Sequence, residues 1–309
     1  MRTDTTPRPI LVTGSHRSGT TWIGRMLALA PRVGYIHEPF NPLTPPGICA
    51  APFDHFFTYV TTENEGVYYA PLSRTFAFSY DLRAELAAVR TPRDVATAAQ
   101  SLAAFQRARL RHARPLIKDP IAVFSTEWLA ERFGMDVLVV VRHPAAFAAS
   151  LKRLDWRHDF RHFLAEQLLM RDHLHPYAEE IRRQADVDQG VVAQAATLWR
   201  LIYGTILRLR QRHPEWILIR HEDASRDPES TFLELYGRLG LAYTARAQRA
   251  IAAHSAPSNP TASRSRHDVR LASAASLDNW RHVLTKEEAA FVRASVGDLA
   301  GAFYDDGDW

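Results

Sequence analysis

The stretch "DVLVVV" at 136–141 constrains the fold more than any other. Five consecutive apolar residues, four of them β-branched, leave no polar face to turn toward water, so a strand here is buried on both sides. A strand of that kind sits inside a parallel sheet with helices over each face. It extends to "MDVLVVVRH" (135–143), and further strand-like runs are "PILVTG" (9–14), "VGYIHE" (33–38), "RPLIKD" (114–119) and "WILIRHED" (216–223). Helical patterns fall between them near 20–30, 94–112, 123–133, 144–153, 160–184, 190–212 and 229–240. The alternation predicts a three-layer α/β/α fold around a central parallel sheet.

Two stretches break the alternation. Residues 41–75 are rich in Pro, Gly, Thr and aromatics, too irregular for a helix and too long for an ordinary connection, so they read as a functional loop. Residues 255–280 are poor in apolar groups but carry Arg264, Arg266, His267 and Arg270, and read as a mobile loop. A last helix opens with a capping box, Thr285 to Glu288. At 309 residues, 46% of them hydrophobic and 23% charged, the chain is expected to fold as one domain over 1–309.

The net charge of +4 suits an anionic ligand but is too small to argue for nucleic acid. One cysteine, Cys49, allows neither an internal disulfide nor a cysteine zinc site and fits a reducing compartment. No apolar stretch reaches the roughly 18 residues of a membrane span, so the expected location is the cytoplasm. Fourteen histidines include the clusters "RHDFRHF" (157–163) and "RDHLHP" (171–176), but these lack the carboxylate and cysteine complement of a metal site. They read as a solvated face or an acceptor cleft.

"VTGSHRSGTTW" (12–22) follows the first strand and opens the first helix, the usual place for a phosphate loop. Gly14 and Gly19 have the spacing of a nucleotide triphosphatase loop, yet Thr20 stands where that loop has its Lys, and Arg17 is the nearby cation. Without that Lys or an acidic Mg²⁺ ligand, phosphoryl transfer lacks its usual parts. The backbone N–H groups, the hydroxyls of Ser18, Thr20 and Thr21, and Arg17 suit one terminal phosphate-type group held without metal. Trp22 next to them can pack on a base or on the sheet.

These residues resemble the sulfotransferase family, which uses 3′-phosphoadenosine 5′-phosphosulfate (PAPS). "SHRSGTTW" is similar to that family's 5′-phosphosulfate loop. Arg142, closing "DVLVVVRHP", and Ser150 eight residues on resemble its 3′-phosphate pair. "ILIRHEDASRDPESTFLELYGRLGL" (217–241) and "DNWRHVLTKEE" resemble its later elements. The resemblance implies that Arg17, Ser18, Gly19, Thr20, Thr21, Trp22, Arg142 and Ser150 bind PAPS or its product PAP, with Arg270 closing over the 3′-phosphate, and that no metal is needed. Pro144 as a first-turn proline places Ser150 two turns along the same helix.

The cytosolic members' K-T-H segment corresponds here to "IKDP", which keeps Lys118 but has Pro120 in place of the His. A base must then come from "GYIHEPFNP", similar to the "EP" segment of bacterial and carbohydrate-type members, whose Glu is the proposed base. Glu38 is the favoured candidate, followed by His37 and then by a loop residue such as His55. Pro39 is expected to hold Glu38 extended, with His37 and Glu38 on opposite faces. Arg17 and Lys118 are expected to neutralise charge on the leaving group; Lys118 pairing with Asp119 is the purely structural alternative.

The implied function is sulfuryl transfer from PAPS to an acceptor hydroxyl on a glycan, glycolipid or small metabolite. Residues 41–75 and 155–213 are the expected acceptor-binding insertions, and residues 255–280 are expected to lie over the nucleotide. A P-loop kinase and an inactive nucleotide-binding module are the competing readings.

Overall fold

The computed structural model describes residues 7–260 and 274–309. Five strands, β1 (Ile10–Gly14), β2 (Val33–His37), β3 (Arg114–Lys118), β4 (Asp136–Val141) and β5 (Ile217–Arg220), form one parallel sheet in the order β2-β3-β1-β4-β5. The helices are α1 (Thr20–Leu27), α2 (Tyr69–Phe76), α3 (Leu82–Ala88), α4 (Pro92–Leu110), α5 (Thr126–Phe133) and α6 (Pro144–Leu154). They continue with α7 (Arg161–Ala165), α8 (Gln167–Leu169), α9 (Ala178–Asp186), α10 (Val191–Arg212), α11 (His221–Arg226) and α12 (Pro228–Arg238). Last come α13 (Ala245–Ser255), α14 (Trp280–Val283) and α15 (Lys286–Gly301).

Successive strand residues point to opposite faces, and the core divides accordingly. Leu11, Ile117, Val139 and Val141 join the layer built on Trp199, Tyr203 and Phe147 of α10 and α6. Ile10, Val12, Leu116, Leu138 and Val140 join the layer of Ile23, Phe232 and Ile251 from α1, α12 and α13. The sheet is therefore buried on both faces and the fold is three-layer α/β/α, as the run at 136–141 requires.

Four local readings change. The fifth strand stops at Arg220, because His221 already begins α11, whose first turn takes Glu222 and Asp223. Residues 160–184 do not form one helix: a π-turn at Met170–Leu174 and a 3₁₀ turn around Pro176 interrupt it. The end of the 41–75 stretch is helical, since α2 starts at Tyr69 and takes Pro71 within its first turn, where no N–H is needed. Glu38 is not extended; its φ is +45°. The capping box at Thr285 forms in both directions, with the Thr285 N–H donating to Glu288 (2.8 Å) and the Glu288 N–H to the Thr285 hydroxyl (3.2 Å). Arg264, Arg266 and Arg270 lie outside the described residues.

Candidate active site

Among the described residues, the candidate side chains of the phosphate loop, Glu38, Lys118 and Arg142 lie at the carboxyl edge of the sheet, where open α/β folds collect their ligands. The phosphate loop follows the middle strand, β1. Gly14 has φ +139°, and a Cβ there would stand 2.2 Å from the Val140 carbonyl oxygen, so this position admits only glycine. Gly19, at φ +91°, ends the loop as the N-cap of α1. The Ser18 hydroxyl donates to the Ser15 carbonyl (2.6 Å), so it holds the loop's shape. Helix geometry leaves the N–H groups of Thr20, Thr21 and Trp22 without intrahelical partners. Thr20 is buried and Thr21 half-buried, while the Trp22 ring packs edge-on against Phe232 (5.3 Å) in the lower core layer. Its indole N–H has no partner among the described residues.

On the β4 side, Arg142 and Ser150 converge on Arg17. The Arg17 Nε–H donates to the Ser150 hydroxyl (3.1 Å), and an Arg142 Nη1–H donates to the Arg17 carbonyl. The Arg142 Nε–H is buried with no partner among the described residues. Burial holds Arg142 below the usual guanidinium value, against the pull of nearby Glu222. Glu222 is itself 6% exposed and accepts from the His143 N–H (3.0 Å) and the Tyr304 hydroxyl (2.9 Å). The Trp199 indole donates to the Arg142 carbonyl (2.8 Å) and fixes the strand end.

On the other side, register pairs His37 of β2 with Lys118 of β3. Lys118 is fully buried, and its ammonium bonds Glu38 Oε1; Glu38 Oε2 accepts from Asn41 Nδ2 (2.9 Å). The left-handed Glu38 backbone opposes the preference that Pro39 imposes. It persists because the Glu38 N–H donates to the Lys118 carbonyl (2.8 Å), and the Glu38 carbonyl accepts from the Thr44 hydroxyl (2.6 Å) and the Asn41 N–H (3.0 Å). The same turn brings His37 Nε2 to 4.0 Å from Glu38 Oε1, so the two do not face apart as an extended backbone would place them.

Burial raises the Glu38 carboxyl, but Lys118, His37 and Asn41 outweigh it and hold the group below the usual carboxylate value. Burial likewise holds the Lys118 ammonium below the usual lysine value. Asp119 is not its partner: that carboxylate accepts from the N–H groups of Phe40 (2.8 Å), Ile121 (2.9 Å) and Ala122 (3.1 Å), capping the turn after β3. His55 has both ring nitrogens against carboxylates, Asp54 at 2.5 Å and Glu166 at 2.9 Å, so it links the 41–75 stretch to the 155–213 stretch.

Sequence reasoning missed Tyr203 of α10. Its hydroxyl accepts from the Ser15 N–H (3.3 Å), lies 2.9 Å from the Ser15 hydroxyl, and reaches the Val140 carbonyl (3.1 Å), pinning the phosphate loop to β4. Nothing local marks it, because it falls on the apolar stripe of a long helix. Glu222 stood within a quoted family-like segment but without a role.

No helix among the described residues is long and apolar enough to cross a membrane. The family profile described as "Sulfotransferase family" matches residues 9–245. No curated protein sequence matches closely enough to count as a relative. Among solved structures, the chain is similar to the sulfotransferase domain from the curacin biosynthetic pathway, at 14% identity and TM-score 0.50 over 94% of this chain and 97% of that one. It is also similar to the sulfotransferase domain from the Synechococcus PCC 7002 olefin synthase, at 20% identity and TM-score 0.49 over 99% and 98%. A mouse sulfotransferase, SULT7A1, complexed with PAP, matches at 12% identity and TM-score 0.47 over 99% and 88%. With its profile match spanning the loop, the whole sheet and the helices between, the chain belongs to the sulfotransferase family and is a sulfotransferase enzyme.

Proposed function

We propose that the enzyme moves the sulfuryl group of PAPS to an acceptor hydroxyl, with Glu38 as the general base. The observation that carries this reading is the arrangement of two clusters, the Lys118–Glu38 ion pair and Arg142 with Arg17 and Ser150, on opposite sides of one phosphate loop. The residues fit the group: the buried Arg142 Nε–H has no partner among the described residues and needs an anion, and the free N–H groups of α1 meet a second one. When bound, PAPS supplies an electrophilic sulfuryl group on a bridging oxygen.

Arg142 and Ser150 hold the 3′-phosphate, by a guanidinium and a hydroxyl. Arg17, the N–H groups at Gly19, Thr20 and Thr21, the Thr hydroxyls and the Trp22 indole N–H bind the 5′ side, and Arg270 is proposed to close over the 3′-phosphate. Lys118 neutralises charge growing on the leaving oxygen. As Lys118 turns to that oxygen, Glu38 loses its strongest counter-charge, and burial then raises its basicity at the moment it takes the acceptor proton. His37, 4.0 Å away, supports the carboxylate. No residue in this scheme calls for a metal. The acceptor lies between residues 41–75 and 155–213, and the single buried thiol, Cys49, supports a reducing, cytoplasmic setting.

Calorimetric titration with PAP in EDTA, and with ATP plus Mg²⁺ in parallel, tests the reading. The expected outcome is metal-independent PAP binding that Arg142→Ala weakens by about 10²-fold, the scale of a charge-assisted bidentate contact. Binding of ATP with Mg²⁺ but not of PAP would refute it.

A further inference from the structure

His16 lies inside the phosphate loop, between Ser15 and Arg17, yet its ring turns away from the nucleotide-side cations into an aromatic cage. It packs on Phe147 (5.3 Å, edge-on), Trp156 (4.9 Å) and Phe57 (5.8 Å). The residue is 8% exposed, and its Nδ1 has no partner among the described residues. A second imidazole, His158, lies 5.4 Å from the same Phe57 ring, and its Nε2 is likewise buried without a partner among them. Phe57 comes from the 41–75 stretch and Trp156 and His158 from the 155–213 stretch, so the phosphate loop and both insertions meet at this cage.

Packing alone does not explain these residues. A buried ring nitrogen with no hydrogen bond is costly, and phenylalanine would fill the same space without that cost. Phe57 holds φ at +69°, a left-handed backbone that is strained for a bulky non-glycine residue and that tends to persist at functional sites. Burial lowers both imidazoles to about 3, so each is neutral and can accept or donate a hydrogen bond without contributing charge.

We propose that His16 is the acceptor-positioning residue: its Nδ1 hydrogen-bonds the hydroxyl of an uncharged acceptor whose apolar ring packs against Phe57 and Trp156. The neutral imidazoles and the aromatic walls favour an uncharged ring over an anionic polyol. The inference rests on the sulfuryl-transfer reading of the same loop.

The test uses the full-length enzyme saturated with PAP, titrated with 2-naphthol as an uncharged ring alcohol and with glucuronate as an anionic polyol. Wild type is expected to bind 2-naphthol and not glucuronate. His16→Phe, which keeps the ring and deletes the nitrogen, is expected to bind 2-naphthol about 10-fold more weakly, to keep its PAP affinity within about twofold, and to melt about 2–4 °C higher. His16→Asn, which restores a polar atom near Nδ1, is expected to recover most of the 2-naphthol affinity. Phe57→Leu reads the cage wall independently of the loop and is expected to weaken 2-naphthol alone. Unchanged 2-naphthol binding in both His16→Phe and Phe57→Leu would overturn the proposal, as would PAP-loaded wild type that ignores 2-naphthol or takes glucuronate equally well. Wild type that fails to bind PAP would instead overturn the reading of the loop, and the inference with it.

Discussion

Replacing Glu38 by Gln removes one charge from a pair whose other member, Lys118, has no exposed surface. Opposite charges about 4 Å apart attract by about 4 kcal/mol at the effective dielectric of partly buried groups. Deleting one member of a buried pair generally costs about 3–5 kcal/mol. Glu38 keeps 18% side-chain exposure, and the new amide oxygen still accepts from the ammonium, so the expected loss at pH 7 is at the low end, about 3 kcal/mol. In a chain of this size that lowers Tm by about 5 °C.

The pH dependence fixes the cause. Glu38 has a folded pKa below its unfolded one, so it stabilises wild type above the unfolded value of about 4.3, and that stability is lost as pH falls through the folded pKa. The variant lacks this acid limb. Lys118 also has a depressed folded pKa, and without Glu38 the depression deepens. Its penalty is fully present while it is protonated in both states and fades as pH rises through the folded pKa toward the unfolded value of about 10.4. The deficit of Glu38→Gln should therefore be widest between about pH 5 and 8 and shrink on both sides. Denaturant melts from pH 3 to 10 read it directly. In the same variant, PAP affinity should hold or rise, because Lys118 is released to the anion, while transfer from labelled PAPS falls by about 10²–10⁴. Equal stability at pH 7 with an unchanged profile would refute the ion-pair argument, and full transfer would end Glu38's role as base.

Two further outcomes follow from the same geometry. Gly14→Ala drives a Cβ into the Val140 carbonyl, so β1 and β4 must part; soluble yield and PAP affinity should collapse, whereas Gly134→Ala, left-handed but with open space around it, should cost about 1 kcal/mol by chemical denaturation. His55 has its pKa raised chiefly by its hydrogen bond to Glu166, so it stabilises the fold below the unfolded value of about 6.5 and loses that contribution as pH rises through the folded value. Thermal melts should show wild type about 1–2 °C above His55→Gln at pH 6 and level with it by pH 9.

Strands were legible because each is a short apolar run ending in Gly, Pro or a charge, and the loop because only glycine fits at 14 and 19. Arg142 and Ser150 were picked out by their resemblance to the family's pair, and Pro144, which starts α6 three residues after β4 ends at Val141, places Ser150 on the helix that follows. The Glu38–Lys118 pair was not, because 80 residues separate its members and only the β2–β3 register brings them level. The left-handed turn at Glu38 contradicts the local rule for a residue before proline; three hydrogen bonds from distant or later groups impose it. Tyr203 was invisible for a similar reason: an aromatic on an apolar helix stripe looks like core until the strand it touches is known.

The two clusters differ in how their carboxylates are held, and the proposed mechanism uses that difference. Glu222 is fixed by a backbone N–H and a tyrosine hydroxyl and makes no ion pair with Arg142 among the described residues. On the proposed reading, an incoming phosphate meets the unpartnered Arg142 Nε–H without breaking an ion pair, and this side of the loop contributes affinity. Lys118 is already engaged with Glu38, so an anion gains that ammonium only by taking it from the carboxylate. On the proposed mechanism, binding on that side yields less affinity, but it leaves the Glu38 carboxylate without its counter-charge, next to the acceptor hydroxyl that it is proposed to deprotonate.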